Sequence, residues 1–113
     1  MDIAATIINY LDRVSEVGWY HNSPKSAPTE YGTLTRDGGA YDSYVRDMPT
    51  ITLIVYAATR GRCAELAGNT KQQLIRACWE VDNIFQVEIF GDYYDPVDGK
   101  HRHRITAQVT VND

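Results

Sequence analysis

His101 and His103 stand two residues apart, shortly after Asp92, Asp95 and Asp98. On a strand that spacing puts both imidazoles on one face, and imidazole with carboxylate is a donor set for zinc or a similar divalent ion. The aspartates do not follow the D-x-D-x-D-G order of a calcium loop with its distal Glu. Asp, Gly and polar residues are also what a solvated hairpin end needs for its turn. The solvated hairpin is the simpler reading, and no metal ligand is assigned.

Cys63 and Cys78 lie fifteen residues apart in a stretch of helical periodicity. At about 1.5 Å per residue they sit roughly 22 Å apart, whereas a disulfide needs Cα atoms within ~7 Å. Neither stands beside a basic loop that would lower its pKa, so both read as structural thiols of a reducing compartment. Ser15, Ser23, Ser26 and Ser43 lie in no G-x-S-x-G setting, and neither a P-loop nor a G-x-G-x-x-G is present. No catalytic residue and no cofactor is assigned. The chain reads as a non-enzyme.

Arg36, Arg46, Arg60, Arg62, Arg102 and Arg104, with Tyr31, Tyr41, Tyr44, Tyr93 and Tyr94, could stack on and neutralise a single nucleic-acid strand. The same residue types are enriched where proteins meet proteins. Eleven basic against fifteen acidic side chains give a net charge of −4, which favours the protein partner over a polyanion. A small module for a peptide or single-stranded nucleic acid is the alternative function.

These residues must be positioned by one domain, 1–113, since two would each be marginal at this length. With 43 % hydrophobic and 23 % charged residues the chain is expected to fold into an ordinary globule. No apolar run approaches the ~20 residues of a membrane span, and Met1-Asp2-Ile3 lacks the basic start of a secretion signal. Membrane, secreted and histone-like readings are set aside.

Ile3, Ile7, Leu11 and Val14, with Ile8, predict an amphipathic helix capped by Asp2. A short strand over Val17–His21 and a Pro- and Ser-rich loop from Asn22 to Pro28 follow. Glu30–Arg36 precedes Asp37-Gly38-Gly39, which reads as a reversal or the start of a flexible loop reaching towards Pro49. Thr50–Ala57 is the most strand-like run: Ile51, Leu53, Val55 and Ala57 share one face, Ile54 and Tyr56 the other.

Thr59 is placed to cap a second helix from about Gly61 to Glu80, with Ala64, Ala67, Leu74, Ile75, Cys78 and Val81 on its inner side and Lys71 interrupting them. Gly68 within it reads as a close-packing point. A strand from Phe85 to Tyr94, a turn at Asp95–Gly99 and a strand from His101 to Val111 complete the chain. The fold class is α+β: a mainly antiparallel sheet with two helices on one face, in the order α-β-β-β-α-β-β. Two helices cover one face, while Ile54, Tyr56, Phe90 and several tyrosines are expected to leave the other apolar. A neighbouring copy is the expected cover.

The order Pro28-Thr29-Glu30-Tyr31, Leu34-Thr35-Arg36-Asp37-Gly38-Gly39, Asp47-Met48-Pro49-Thr50-Ile51-Thr52-Leu53, Tyr56-Ala57-Ala58-Thr59, Asp95-Pro96 and His103-Arg104-Ile105-Thr106-Ala107-Gln108-Val109 resembles the tail terminator, or tail-completion, proteins of long-tailed bacteriophages. The resemblance spans nearly the whole chain. It implies a ring, typically a hexamer, on the head-proximal end of the tail tube, which stops tube polymerisation and joins the tail to the head connector. The implied partners are copies of the chain, the tube protein and the connector. DNA passes through without specific binding, and the protein is assembled in the host cytoplasm into the virion tail.

The resemblance brings no catalytic residue. It implies that the Arg36–Gly39 turn and the loop after it lie at subunit or tube contacts, with Tyr41, Tyr44 and Arg46 as anchors. Ile54 and Tyr56 join them from the second sheet face. His101 and His103 depart from the aromatic or basic residues expected before the last strand.

Overall fold

Asp2 ends the extended N-terminus by accepting the Ala5 amide at 3.1 Å, which caps the first helix, α1 (Ile3–Val14). Ile3, Ile7, Ile8 and Leu11 form its buried stripe. The structure, a computed structural model, describes residues 2–41 and 47–111. After α1 come β1 (Gly18–Tyr20), β2 (Tyr31–Tyr41), β3 (Asp47–Ala57), α2 (Arg60–Glu80), β4 (Ile84–Tyr94) and β5 (His101–Val111). The expected α-β-β-β-α-β-β order and fold class are those observed.

Among the described residues the strands form one five-stranded sheet, ordered β1-β2-β3-β5-β4. β1 runs parallel to β2, and every other neighbouring pair is antiparallel. Both helices lie on one face. Beneath them Leu34, Ile51, Leu53, Val55, Ile105, Ala107 and Val109 are fully or almost fully buried. Trp19 closes the core beside β2, where its indole passes so near Gly32 that a Cβ there would meet the ring at 2.6 Å.

Thr59 caps α2, accepting the Arg62 amide at 3.1 Å. The inner stripe of α2 departs from expectation. Cys63, Leu66, Ala67, Thr70, Leu74 and Ala77 are buried, whereas Ala64 and Ile75 are exposed. The stripe is rotated because Thr70 enters the core after satisfying its hydroxyl on the Leu66 carbonyl at 2.8 Å. Gly68 does not mark a close approach, since nothing lies within 4 Å of where its Cβ would be. Cys63 is buried and Cys78 half-buried; both are free thiols.

Asp37-Gly38-Gly39 is not a reversal. β2 continues to Tyr41, and the register shifts between Arg36 and Gly38. Asp37 is the extra residue of a β-bulge, and Gly38 takes φ 144°, a conformation that suits glycine. The bulge is fastened by the Asp37 carboxylate, which accepts the Thr35 hydroxyl at 3.2 Å and the Thr52 hydroxyl. In the expected loop from 37 to 49, the described residues 37–41 and 47–49 are therefore sheet. β3 begins at Asp47, and its pairing with β5 skips Met48 and Pro49, as a proline without an N–H requires.

Candidate functional site

The second sheet face does not carry the apolar surface expected of it. Its rows follow from the register: Tyr31, Tyr56 and Arg102; Thr33, Ile54, Arg104 and Tyr93; Thr35, Thr52 and Thr106; Thr50, Gln108 and Glu88. Ile54 and Tyr56 are half-buried among these neighbours, and Thr33, Thr52 and Thr110 are buried. One strand's outward residues do not decide a face; β5 and β4 beside it supply the half-buried Arg102, Arg104, Thr106 and Gln108 and the exposed Glu88. This is a solvated face of an antiparallel sheet.

Exposed apolar surface lies instead along one edge. β4 is an edge strand whose register with β5 shifts twice, between Ile84 and Gln86 and between Ile89 and Gly91. The extra residues at these two bulges are Phe85 and Phe90, the two phenylalanines of the chain. They are 54 % and 57 % exposed, and Tyr93 is 52 % exposed. A bulge re-aims the side chain it inserts and interrupts ladder pairing. β4 thus presents aromatic rings along a broken backbone edge.

The adjoining side of α2 extends this surface. Lys71, Ile75 and Trp79 follow one another at i, i+4 and i+8, a single row on the helix. Lys71 bonds to Asp92 of β4, so the row faces the β4 side. Ile75 is exposed and Trp79 is 79 % exposed. Ile75 and Trp79 of α2 with Phe85 and Phe90 of the β4 edge make an apolar flank, while Tyr93 lies on the second sheet face. Phe90 was expected on the second sheet face under a neighbouring copy and Tyr93 among the contact tyrosines; Ile75, Trp79 and Phe85 carried no contact role from sequence. The available signal was the dipeptide Ile-Phe at 84–85 and again at 89–90, where two apolar neighbours interrupt the in-out alternation.

The hairpin histidines share one face as expected and are half-buried, while the turn at residues 96–100 is exposed, as expected of a solvated hairpin end. His103 Nε2 and Lys71 Nζ both bond the Asp92 carboxylate beneath α2. Burial alone would raise the Asp92 carboxyl; the hydrogen bonds from Lys71 and His103 outweigh it and hold the pKa below the usual carboxylate value. Asp95 is likewise held low: Arg104 and Arg102 bond it and overcome the effect of burial. His101 bonds Tyr94 instead, Nδ1 to hydroxyl at 2.5 Å. Among the described residues no three of His, Cys, Asp and Glu are gathered as a metal-ligating group.

Of the residues expected at an interface, Arg36 is exposed on β2 beside the Asp37 bulge. Tyr41 ends β2. Tyr44 and Arg46 lie outside the described residues. Ile54 and Tyr56 belong to the second sheet face, whereas Arg36 pairs with Ile51, which faces the core. Among the described residues no helix is long and apolar enough to cross a membrane. No protein-family model and no curated protein matches the chain.

Proposed function

We propose that the protein is a structural subunit that assembles with copies of itself into a ring, typically a hexamer, at the head-proximal end of a phage tail tube. The observation that carries the reading is the apolar flank of β4 and α2. Large aromatic side chains left in water along a sheet edge are a surface for association. A ring needs a heterologous contact, in which this flank meets a different surface of the next copy. The opposite edge offers one: β1 covers β2 only from Tyr31 to Thr33, leaving the outer side of β2 beyond it without a strand partner among the described residues.

The segment order that resembles tail terminators supports the phage assignment. In this reading the ring stops tube polymerisation, meets the tube protein on one side and the head connector on the other, and catalyses nothing. It lets DNA pass without specific binding, and a net charge of −4 is compatible with that path. It is assembled in the host cytoplasm and resides in the virion tail.

Native mass spectrometry at tens of micromolar tests the self-association. A closed oligomer is expected, with loss of at least tenfold in association for the Phe85→Ser, Phe90→Ser double variant, whose lost apolar burial exceeds about 1.4 kcal/mol. A wild-type monomer throughout that range overturns the preformed ring. Genes for tube and tape-measure proteins are expected alongside this one; their absence from its neighbourhood overturns the phage role.

A further inference from the structure

A cleft of about 280 Å³ opens at the end of the sheet where β3 stops. Pro28 and its neighbours form one wall, Tyr31, Tyr56 and Ala57 the floor, and Lys100 and His101 the other wall. The second wall is rigidly built. Asp98 and Gly99 take φ of 52° and 75°, and Val97 and Lys100 exchange backbone hydrogen bonds of 3.2 and 2.9 Å across them. That is the two-residue turn favoured in hairpins, and it fixes Lys100 at the rim.

Five basic residues, Arg60, Arg62, Lys100, Arg102 and Arg104, stand towards this end with five carboxylates, Glu16, Glu30, Glu65, Asp95 and Asp98, and what matters is which of the bases are already paired. Arg62 is neutralised by Glu16, Glu30 and Glu65, while Arg102 and Arg104 share Asp95. Lys100 and Arg60 make no ion pair among the described residues. The Arg60 guanidinium lies 4.3 Å from the centre of the Tyr94 ring, whose hydroxyl holds His101 Nδ1. That bond leaves His101 Nε2 as the ring nitrogen available to a ligand.

Two observations select the ligand class. The tyrosine π-faces are already used: Tyr31 stacks on Tyr56 at 4.3 Å, and Arg102 lies 6.0 Å from the Tyr56 ring centre. A nucleobase would find no free platform. The volume also suits one or two side chains and falls below the usual range for larger ligands. We propose that the cleft binds an acidic side chain presented by a peptide segment of a partner protein. Its carboxylate is held by Lys100 and His101, and its aliphatic stem packs against Pro28, Ala57 and the tyrosine edges.

The test is amide chemical-shift mapping with the blocked peptide acetyl-Ala-Glu-Ala-amide, its Gln analogue and a short oligothymidylate. The Glu peptide is expected to move the amides of Ala57, Ala58, Lys100 and His101. The Gln analogue and Lys100→Ala are each expected to bind about tenfold more weakly, the scale of one charge-assisted hydrogen bond. Lys25→Ala, outside the cleft, leaves binding unchanged, and retained peak dispersion shows that each variant is folded. Equal binding of Glu and Gln peptides, or full binding by Lys100→Ala, overturns the proposal. So does an absence of shifts at ten millimolar peptide, or saturation of the same amides by oligothymidylate at lower concentration.

Discussion

The Tyr10 hydroxyl donates to Glu80 at 2.8 Å, tying the middle of α1 to the last residue of α2. Burial, then the hydrogen bond and charge of Glu80, push the phenol up to about 12 from its ordinary 10. The folded state therefore keeps this proton where the unfolded chain has lost it. The contribution is complete below pH 10 and is lost as pH rises towards 12. Thermal melts across that range are expected to fall more steeply for the wild type than for Tyr10→Phe. The variant should lose about 1 kcal/mol near neutral pH. Parallel alkaline limbs would show that Tyr10 is not the titrating group.

Gly32 sits under the Trp19 indole, and a methyl group there would stand 2.6 to 2.7 Å from three ring carbons. Trp19 is buried in the core, so a shift of its ring disturbs its neighbours. Gly32→Ala is expected to cost about 1–3 kcal/mol, the usual penalty for overpacking. Gly68→Ala, with open space beside it in a helix, should instead stabilise by up to about 1 kcal/mol. Chemical denaturation of the pair checks both signs, and a stabilised Gly32→Ala would contradict the close approach.

What could be read from the chain, and what could not, divides on locality. Asp2 and Thr59 announced their helices because a cap is decided within three residues. The alternation from Ile105 to Val111 likewise announced its strand. Asp37-Gly38-Gly39 misled because the same three residues serve a turn or a bulge. Their meaning is decided by Thr50, which pairs with Gly38, and by Thr52, which bonds Asp37. The second sheet face misled for a related reason. Ile54 and Tyr56 are apolar, but Thr33, Arg104 and Arg102 beside them come from strands whose register no single segment contains. Phe85 looked like an ordinary strand residue and Phe90 like part of the second face, until the two bulges set both apart at the edge.

Asp92 joins three elements, accepting from Lys71 of α2 and His103 of β5 while standing on β4. Its carboxyl is held below the ordinary value, so the stability it contributes is present above about pH 4 and is lost as pH falls through the lower folded-state value. Asp92→Asn is expected to cost about 1–3 kcal/mol at neutral pH, because Lys71 and His103 lose the carboxylate they share. The same variant should lose less stability than the wild type on acidification below pH 4. Urea titrations at pH 7 and pH 3 measure both effects, and an unchanged acid response would assign the dependence to other carboxylates.

Leu53 and Phe90 separate the core from the flank. Leu53 is fully buried at the centre of β3, paired with Leu34 on one side and Ile105 on the other. Leu53→Asp puts a charge there with no partner and no water, a cost that exceeds the usual stability of a domain this size when the carboxylate stays ionised. Far-ultraviolet circular dichroism should show that variant largely unfolded at neutral pH. Phe90 is more than half exposed at a bulge, so Phe90→Ser removes little that holds the monomer together. Its unfolding free energy is expected to stay within about 0.5 kcal/mol of wild type, as for ordinary surface changes. Cooperative unfolding of Phe90→Ser at much lower denaturant would mean that the ring supports the fold, and that its exposure has another cause than association.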